Sequence, residues 1–263
     1  MIGNRKKTRN TWLGFERATW GLRLPSILLA LATVAFSPVS GRADESWDSF
    51  LSRYGAGKND RQFYLAGIVG ADFATLDKVT GMETTVPNQS IFTAGGAAGI
   101  RFLRENGGLR LEFEGRGRDQ VLSTVAEPGI GSFTTQATDG WSAMVNVWRD
   151  YKPFDSFGVY GGGGIGSGGY RSVISGTGLA PLLATANDRV TNFAWQAGGG
   201  IFYEISQRAT LDLGYRFFSI SESTATGESI IGGGPFTYPT NFAASELLLT
   251  LRIYEPFRGW RKR

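Results

Sequence analysis

The chain has 263 residues, of which 38 are glycine, and it contains neither cysteine nor histidine. Because thiolates and imidazoles are absent, thiol nucleophiles, Cys/His metal sites and Ser-His-Asp arrangements are excluded, so we expect no enzyme, no cofactor and no bound metal. The formal net charge of +4 is misleading, because residues 1–43 hold seven of the 27 basic and one of the 23 acidic residues, which leaves 20 against 22. We therefore predict no nucleic-acid binding.

The first 43 residues have the features of an export signal. A basic stretch at residues 5–23 leads into an uncharged run at 24–36, and a small-residue pattern follows at 41–43. The apolar run is shorter than the roughly 20 residues that a membrane-spanning helix needs, although an uncleaved anchor remains an alternative. We predict a signal peptide over residues 1–43 and a short periplasmic segment over residues 44–60.

From residue 61 onward, hydrophobic and polar residues alternate with the period of two that is typical of strands. We predict eight strands, at residues 61–73, 92–103, 109–119, 141–150, 157–170, 192–205, 210–220 and 242–254. The third strand is the clearest, because Leu109, Leu111 and Phe113 alternate with charged residues on the other face. Each strand has about the length that a tilted strand needs to cross the hydrocarbon of a bilayer.

The predicted connections alternate between short and long. The short ones are residues 104–108, 151–156 and 206–209, and the long ones are residues 74–91, 120–140, 171–191 and 221–241. Transmembrane barrels have short periplasmic turns and long extracellular loops, so with an even number of strands both termini of the barrel domain are expected on the periplasmic side. Aromatic residues predict two interfacial girdles, a lower one of Phe63, Phe102, Phe157 and Tyr203 and an upper one of Phe73, Phe92, Trp141, Phe193, Trp195 and Phe217.

Alternation alone leaves open which face looks inward. A soluble lipocalin-like barrel with an apolar interior is one alternative, but glycines within the strands favour a narrow membrane barrel with large polar side chains inside. The charged residues expected in the lumen are Asp72, Arg101, Arg110, Glu112, Glu114, Arg116, Arg118, Glu204, Asp212, Arg216, Glu246 and Arg252. They predict paired structural filling, with an ion path as the alternative.

The segment NFAWQAGGGIFYEISQRATLDLGYRFF at residues 192–218, together with SELLLTLRIY at 245–254, resembles the outer-membrane barrel family of opacity-type and OmpA-like surface proteins. The resemblance covers roughly residues 61–254 and implies an all-β, eight-stranded, antiparallel up-and-down transmembrane barrel. It also implies a role in envelope integrity or adhesion and no catalytic residues. The basic tail at 255–263 departs from the family, whose chains usually end on an aromatic residue.

Three functions therefore remain open. The first is a non-enzymatic structural or surface-interaction barrel in the cell outer membrane, and the alternatives are a small pore or transport barrel and the soluble lipocalin-like ligand carrier. The partners expected for the first are outer-membrane lipid, the barrel assembly machinery and an extracellular ligand held by the long loops.

Overall fold

The computed structural model describes residues 61–76, 89–127, 129–231 and 234–257. The predicted signal peptide and periplasmic segment lie outside the described residues, and so do residues 258–263 of the predicted tail. No helix in the described part of the chain is long and apolar enough to cross a membrane.

The described residues form nine strands and one short helix. These elements are β1 (Arg61–Leu76), β2 (Gln89–Arg104), β3 (Gly107–Arg118), β4 (Val121–Glu127), β5 (Gly131–Tyr151), β6 (Phe157–Gly176), α1 (Ala180–Leu183), β7 (Thr185–Ser206), β8 (Ala209–Ser229) and β9 (Gly234–Tyr254). All strands except β4 form a closed ring of antiparallel neighbours, in which β1 pairs with β9 and β3 pairs with β5. The predicted eight-stranded up-and-down barrel is confirmed.

The barrel turns its apolar face outward and its charged face inward over the predicted strands. On β3, Phe113 is 59% exposed, whereas its neighbours Glu112 and Glu114 are buried. The same division holds on β9, where Leu249 is exposed and Glu246 is buried. An exterior of this kind suits lipid and not water, so the lipocalin-like alternative with an apolar interior is wrong for this part of the chain.

The strands continue far beyond the predicted boundaries at the end opposite the short turns. The predicted loops at 120–140, 171–191 and 221–241 are wrong, because β4, β5, β6, β7, β8 and β9 occupy most of these residues. At the loop predicted over 74–91, β1 and β2 take a few residues from each side, and residues 77–88 lie outside the described chain. We call this part of the barrel, beyond the upper aromatic residues, the extension.

The division between the two faces is reversed in the extension. On β8, Ile220 and Ala225 are buried, whereas Thr224 and Thr226 are exposed. The pairing of β8 with β9 shifts register between Ile220 and Ser223, and this shift changes which alternate residues face inward. The extension therefore has a polar exterior and an apolar interior, as expected for a sheet surrounded by water.

The aromatic residues predicted as girdles face outward. Eight of them are exposed, namely Phe63, Phe73, Phe92, Trp141, Phe157, Phe193, Tyr203 and Phe217. The other two, Phe102 and Trp195, are half-buried, and the rings of Trp195 and Phe217 lie 5.3 Å apart. Aromatic side chains at both ends of an apolar band mark the two membrane interfaces.

The end of β9 is joined to the start of β1. The backbone N–H of Glu255 donates to the Phe63 carbonyl at 2.8 Å, and the Phe63 N–H donates to Glu255 Oε1 at 3.1 Å. The last strand residue, Tyr254, points into the lumen, whereas Phe257 is 61% exposed. The aromatic side chain that ends the strand, Tyr254, is thus directed away from lipid.

Candidate functional site

The lumen of the barrel holds a dense set of charged side chains. Six arginines and six carboxylates are buried there, namely Arg101, Arg110, Arg116, Arg118, Arg216, Arg252, Asp72, Glu112, Glu114, Asp150, Asp212 and Glu246. Eleven of these belong to the predicted set, and the twelfth predicted residue, Glu204, is half-buried at the short-turn end of the barrel. Equal numbers of the two charges allow every buried ion to be neutralised nearby.

Glu114 is the centre of the upper half of this network. Its carboxylate lies 2.6 Å from Arg216 Nη1 and 2.7 Å from Arg116 Nε. It also accepts hydrogen bonds from the side-chain amides of Asn146 and Gln196. These partners come from β3, β5, β7 and β8, so one carboxylate ties together four strands of the ring.

Two further carboxylates, those of Glu246 and Asp72, complete the upper network. Glu246 binds Arg116 Nη1 and Arg118 Nη2, both at 2.8 Å. Arg118 also donates from Nε to Asp72 at 2.9 Å. The side chain of Arg118 thus bridges β9 and β1, the two strands that close the ring.

Glu112 lies below this group and is surrounded by neutral donors. Tyr64 donates its hydroxyl to Glu112 at 2.7 Å, Trp148 donates its indole N–H at 3.1 Å, and Asn146 donates its amide at 3.2 Å. The nearest cation is Arg110, at 3.7 Å. Three neutral hydrogen bonds and one ion pair satisfy this carboxylate inside the barrel.

Asp150, which the sequence analysis did not include, is the centre of the lower half. It accepts a hydrogen bond from Arg110 Nε at 3.0 Å and one from Arg252 Nη1 at 3.3 Å. Arg252 also binds Asp212 at 2.6 Å. Asp150 lies at an inward position four residues beyond Asn146 on the same strand, so the period of two did indicate it.

Aromatic rings fill the space between these charged groups. The guanidinium of Arg118 lies 3.9 Å from the centre of the Phe218 ring, and that of Arg216 lies 4.5 Å from the Trp148 ring. The Trp148 ring packs edge-on against Tyr160 at 5.8 Å. Guanidinium groups stacked on rings fill space in the lumen and also supply positive charge. An eight-stranded barrel has room inside only for side chains.

An apolar core closes the barrel above the charged network. Sixteen buried residues form one cluster there, and it includes Phe218, Phe242, Tyr170 and Ile220. Phe218 and Phe242 lie 6.2 Å apart, and Tyr170 lies 6.0 Å from Phe242. This apolar core is the filling of the extension.

A cavity of about 630 Å³ opens at the short-turn end of the barrel. Its lining includes Arg101, Lys152, Glu204 and Thr210, and Glu204 pairs with both Arg101 and Lys152. Among the described residues, no group of three or more acidic side chains is arranged to hold a metal ion. The cavity therefore presents paired charges at the short-turn end of the barrel.

The filled lumen predicts that the protein forms no ion channel. In planar bilayers, we expect the folded barrel to give no discrete conductance steps, since buried ion pairs, aromatic rings and the apolar core occupy the described interior. A large porin reconstituted in the same lipid serves as the positive control. Discrete openings that disappear when the protein is heat-denatured would support the ion-path alternative instead.

A closed ring of antiparallel strands with an apolar, aromatic-bordered exterior and a charged interior defines a transmembrane β-barrel. Residues 27–241 match the family model described as the outer membrane protein beta-barrel domain. The chain therefore belongs to this family of outer-membrane barrels, as the resemblance of its strands indicated. No curated protein matches the chain.

Solved structures similar to this chain include three outer-membrane proteins. Neisserial surface protein A is 14% identical, with a TM-score of 0.40 over 73% of this chain and 96% of that one. Ail of Yersinia pestis, solved with the heparin analogue sucrose octasulfate, is 12% identical, with a TM-score of 0.36 over 73% of this chain and 99% of that one. OprG from Pseudomonas aeruginosa is 10% identical, with a TM-score of 0.40 over 74% and 96%.

Proposed function

We propose that this outer-membrane barrel is non-enzymatic and serves as a structural and surface-interaction protein, with a role in adhesion or envelope integrity. The absence of histidine and the pairing of the buried carboxylates support this proposal over catalysis. Export by a signal peptide over residues 1–43 and insertion by the barrel assembly machinery are parts of the same proposal.

The observation that carries the proposal is the extension. β8 continues for twelve residues beyond Phe217 of the upper girdle, and the extension has the apolar core described above. Side chains packed in this way hold a fixed shape outside the membrane. A rigid surface of this kind is suited to binding another molecule, because its backbone loses little conformational entropy on contact.

The tip of the extension carries an apolar patch, which we define as Leu179, Ile230 and Ile231. These side chains are 54%, 73% and 64% exposed. The backbone N–H groups of Ile230 and Ile231 both donate to the Leu182 carbonyl at 3.0 Å, so the β8–β9 turn is fastened to α1. Exposed apolar side chains held on a rigid tip are typical of a protein contact surface.

Substitution of the apolar patch tests the proposal. Bacteria that display the variant Ile230→Ser/Ile231→Ser are expected to bind immobilised matrix protein or cultured host cells at least about fivefold less than wild type, because burial of an isoleucine contributes on the order of 1.5 kcal/mol or more. The matched control is Phe154→Ser, which removes an exposed apolar side chain from a periplasmic turn.

Both variants should be present in the outer membrane and should show the gel mobility shift on boiling that folded barrels give. Equal binding by the Ile230→Ser/Ile231→Ser variant and wild type would exclude the patch as the contact surface. Loss of envelope integrity in a strain without the protein, with no change in binding, would assign the structural role alone.

A further inference from the structure

Two arginines of neighbouring strands face the outside of the barrel at the same level. Arg171 on β6 is directly opposite Arg189 on β7. The β-carbons of directly opposite residues lie about 5 Å apart, and two like charges in this arrangement destabilise the sheet. An anion that contacts both guanidinium groups would therefore remove this repulsion.

The level of this pair corresponds to the headgroup layer of the outer leaflet. Arg171 is two residues beyond Gly169, which is opposite the girdle residue Trp141, and Arg189 is four residues beyond the girdle residue Phe193. With a rise of about 3.3 Å per residue and the usual strand tilt, the pair lies roughly 5–10 Å above the aromatic rings. Lipid headgroups occupy a layer of about that height next to the hydrocarbon.

Neighbouring carboxylates do not neutralise both arginines. Asp139, which is 63% exposed, binds Arg171 Nη2 at 3.1 Å and leaves Arg171 Nε without a hydrogen-bond partner. The carboxylate of Asp188 accepts hydrogen bonds from the backbone N–H groups of Arg189 and Thr226, each at 2.8 Å. Arg189 forms no ion pair with any acidic side chain in the described residues, including Glu222 and Glu228 on β8.

We propose that Arg171 and Arg189 together bind the phosphate group of a phosphorylated lipid in the outer leaflet. A guanidinium presents a planar pair of N–H donors that matches two phosphate oxygens, and a phosphate monoester carries enough negative charge for two arginines. The acyl chains of the same lipid would lie along the apolar exterior below, against Phe193 and Trp141. The inference concerns the lipid-facing side and is independent of the contact surface at the tip.

Quenching of tryptophan fluorescence by brominated lipids tests this proposal. Trp141 faces outward just below the arginine pair, and Trp195 lies six residues below Arg189 on β7, so a brominated lipid whose chains lie along this face quenches them. The barrel is refolded into phosphatidylcholine vesicles that contain a small fraction of brominated phosphatidic acid, brominated phosphatidylglycerol or brominated phosphatidylcholine. We expect an apparent affinity about tenfold higher for phosphatidic acid than for phosphatidylcholine, with phosphatidylglycerol between them.

Three variants isolate the arginine pair. Arg171→Gln/Arg189→Gln should lose the preference, whereas Arg149→Gln, which removes an exposed outward arginine near the periplasmic end of β5, should retain it. Asp139→Asn should raise the preference by about two- to fivefold, because it frees Arg171 from a surface ion pair. Asparagine tolerates the positive φ of 54° at this position.

Two results would overturn the proposal. The first is a wild-type barrel that binds all three brominated lipids equally, and the second is an Arg171→Gln/Arg189→Gln variant that keeps the preference for phosphatidic acid. Inorganic phosphate provides the last arm of the test. If an equal concentration of inorganic phosphate abolishes the quenching by brominated phosphatidic acid, the site binds free phosphate and not a lipid.

Discussion

The variant Glu114→Ala is expected to lower the free energy of unfolding by about 3–5 kcal/mol, because it leaves the buried guanidinium of Arg216 without a counter-ion. The carboxylate of Glu114 is fully buried and contacts Arg116 and Arg216 at 2.7 and 2.6 Å. Its removal also takes away the acceptor for Asn146 and Gln196. Urea unfolding of the barrel in vesicles, followed by tryptophan fluorescence and by gel mobility without boiling, measures the change.

A second substitution that removes one cation from the lumen should recover part of the stability lost in Glu114→Ala. In Glu114→Ala/Arg216→Met, one excess cation is removed as well, so the loss should be smaller than the sum of the two single losses by about 1–3 kcal/mol. Glu222→Ala on the exposed face of β8 serves as the control, with a change within about 0.5 kcal/mol. Additive losses for Glu114 and Arg216 would contradict the ion pair, and an unfolding midpoint like that of wild type for Glu114→Ala would contradict the paired lumen.

The strands that cross the membrane could be predicted from the sequence because lipid imposes a strict alternation. In β3, every outward position is apolar or glycine and every inward position from Arg110 to Arg118 is charged. The short turn before β3 then fixes its pairing with β2. Under these conditions, the strand, its two faces and its position in the ring all follow from local patterns.

The extension could not be predicted in the same way, because two signals change together at the upper girdle. Water replaces lipid, so exposed positions become threonine and serine, and the residues acquire the composition of loops. At the same time, register shifts between Thr138 and Trp141 on β5 and between Ile220 and Ser223 on β8 change which alternate residues face inward. A regular period of two does not continue through either shift.

The members of the charged lumen could be predicted, but their partners could not. Glu114 and Arg216 are 102 residues apart, and they meet because the strands are staggered around the ring. Stagger is a property of the closed barrel, so no local pattern specifies it. Asp150 was missed for another reason, since it lies at the end of a strand, next to a turn where charged residues usually face water.

The glycines of β6 provide the sharpest test of the barrel interior. Gly162→Val is expected to prevent folding or to lower the free energy of unfolding by about 3 kcal/mol or more, as overpacking of a close-packed interior does. A β-carbon at Gly162 would overlap the carbonyl oxygen of Val147 and lie 2.9 Å from Trp148 Cε3. Trp148 fills the lumen and donates to Glu112, so its side chain could not move without breaking this buried hydrogen bond.

The adjacent residue, Gly161, is a matched control because it faces the opposite way. The nearest atom to a β-carbon at Gly161 would be the Gly198 carbonyl oxygen, at 3.7 Å, so Gly161→Val should change the free energy of unfolding by less than about 0.5 kcal/mol. Valine also suits a strand position that faces lipid. Both variants are assayed for the mobility shift on boiling and for urea unfolding in vesicles. If the two valines had the same effect, glycine on β6 would be explained by backbone flexibility. A loss at Gly162 alone shows that the missing side chain makes room for the inward neighbours on β5, the Val147 carbonyl and the Trp148 ring.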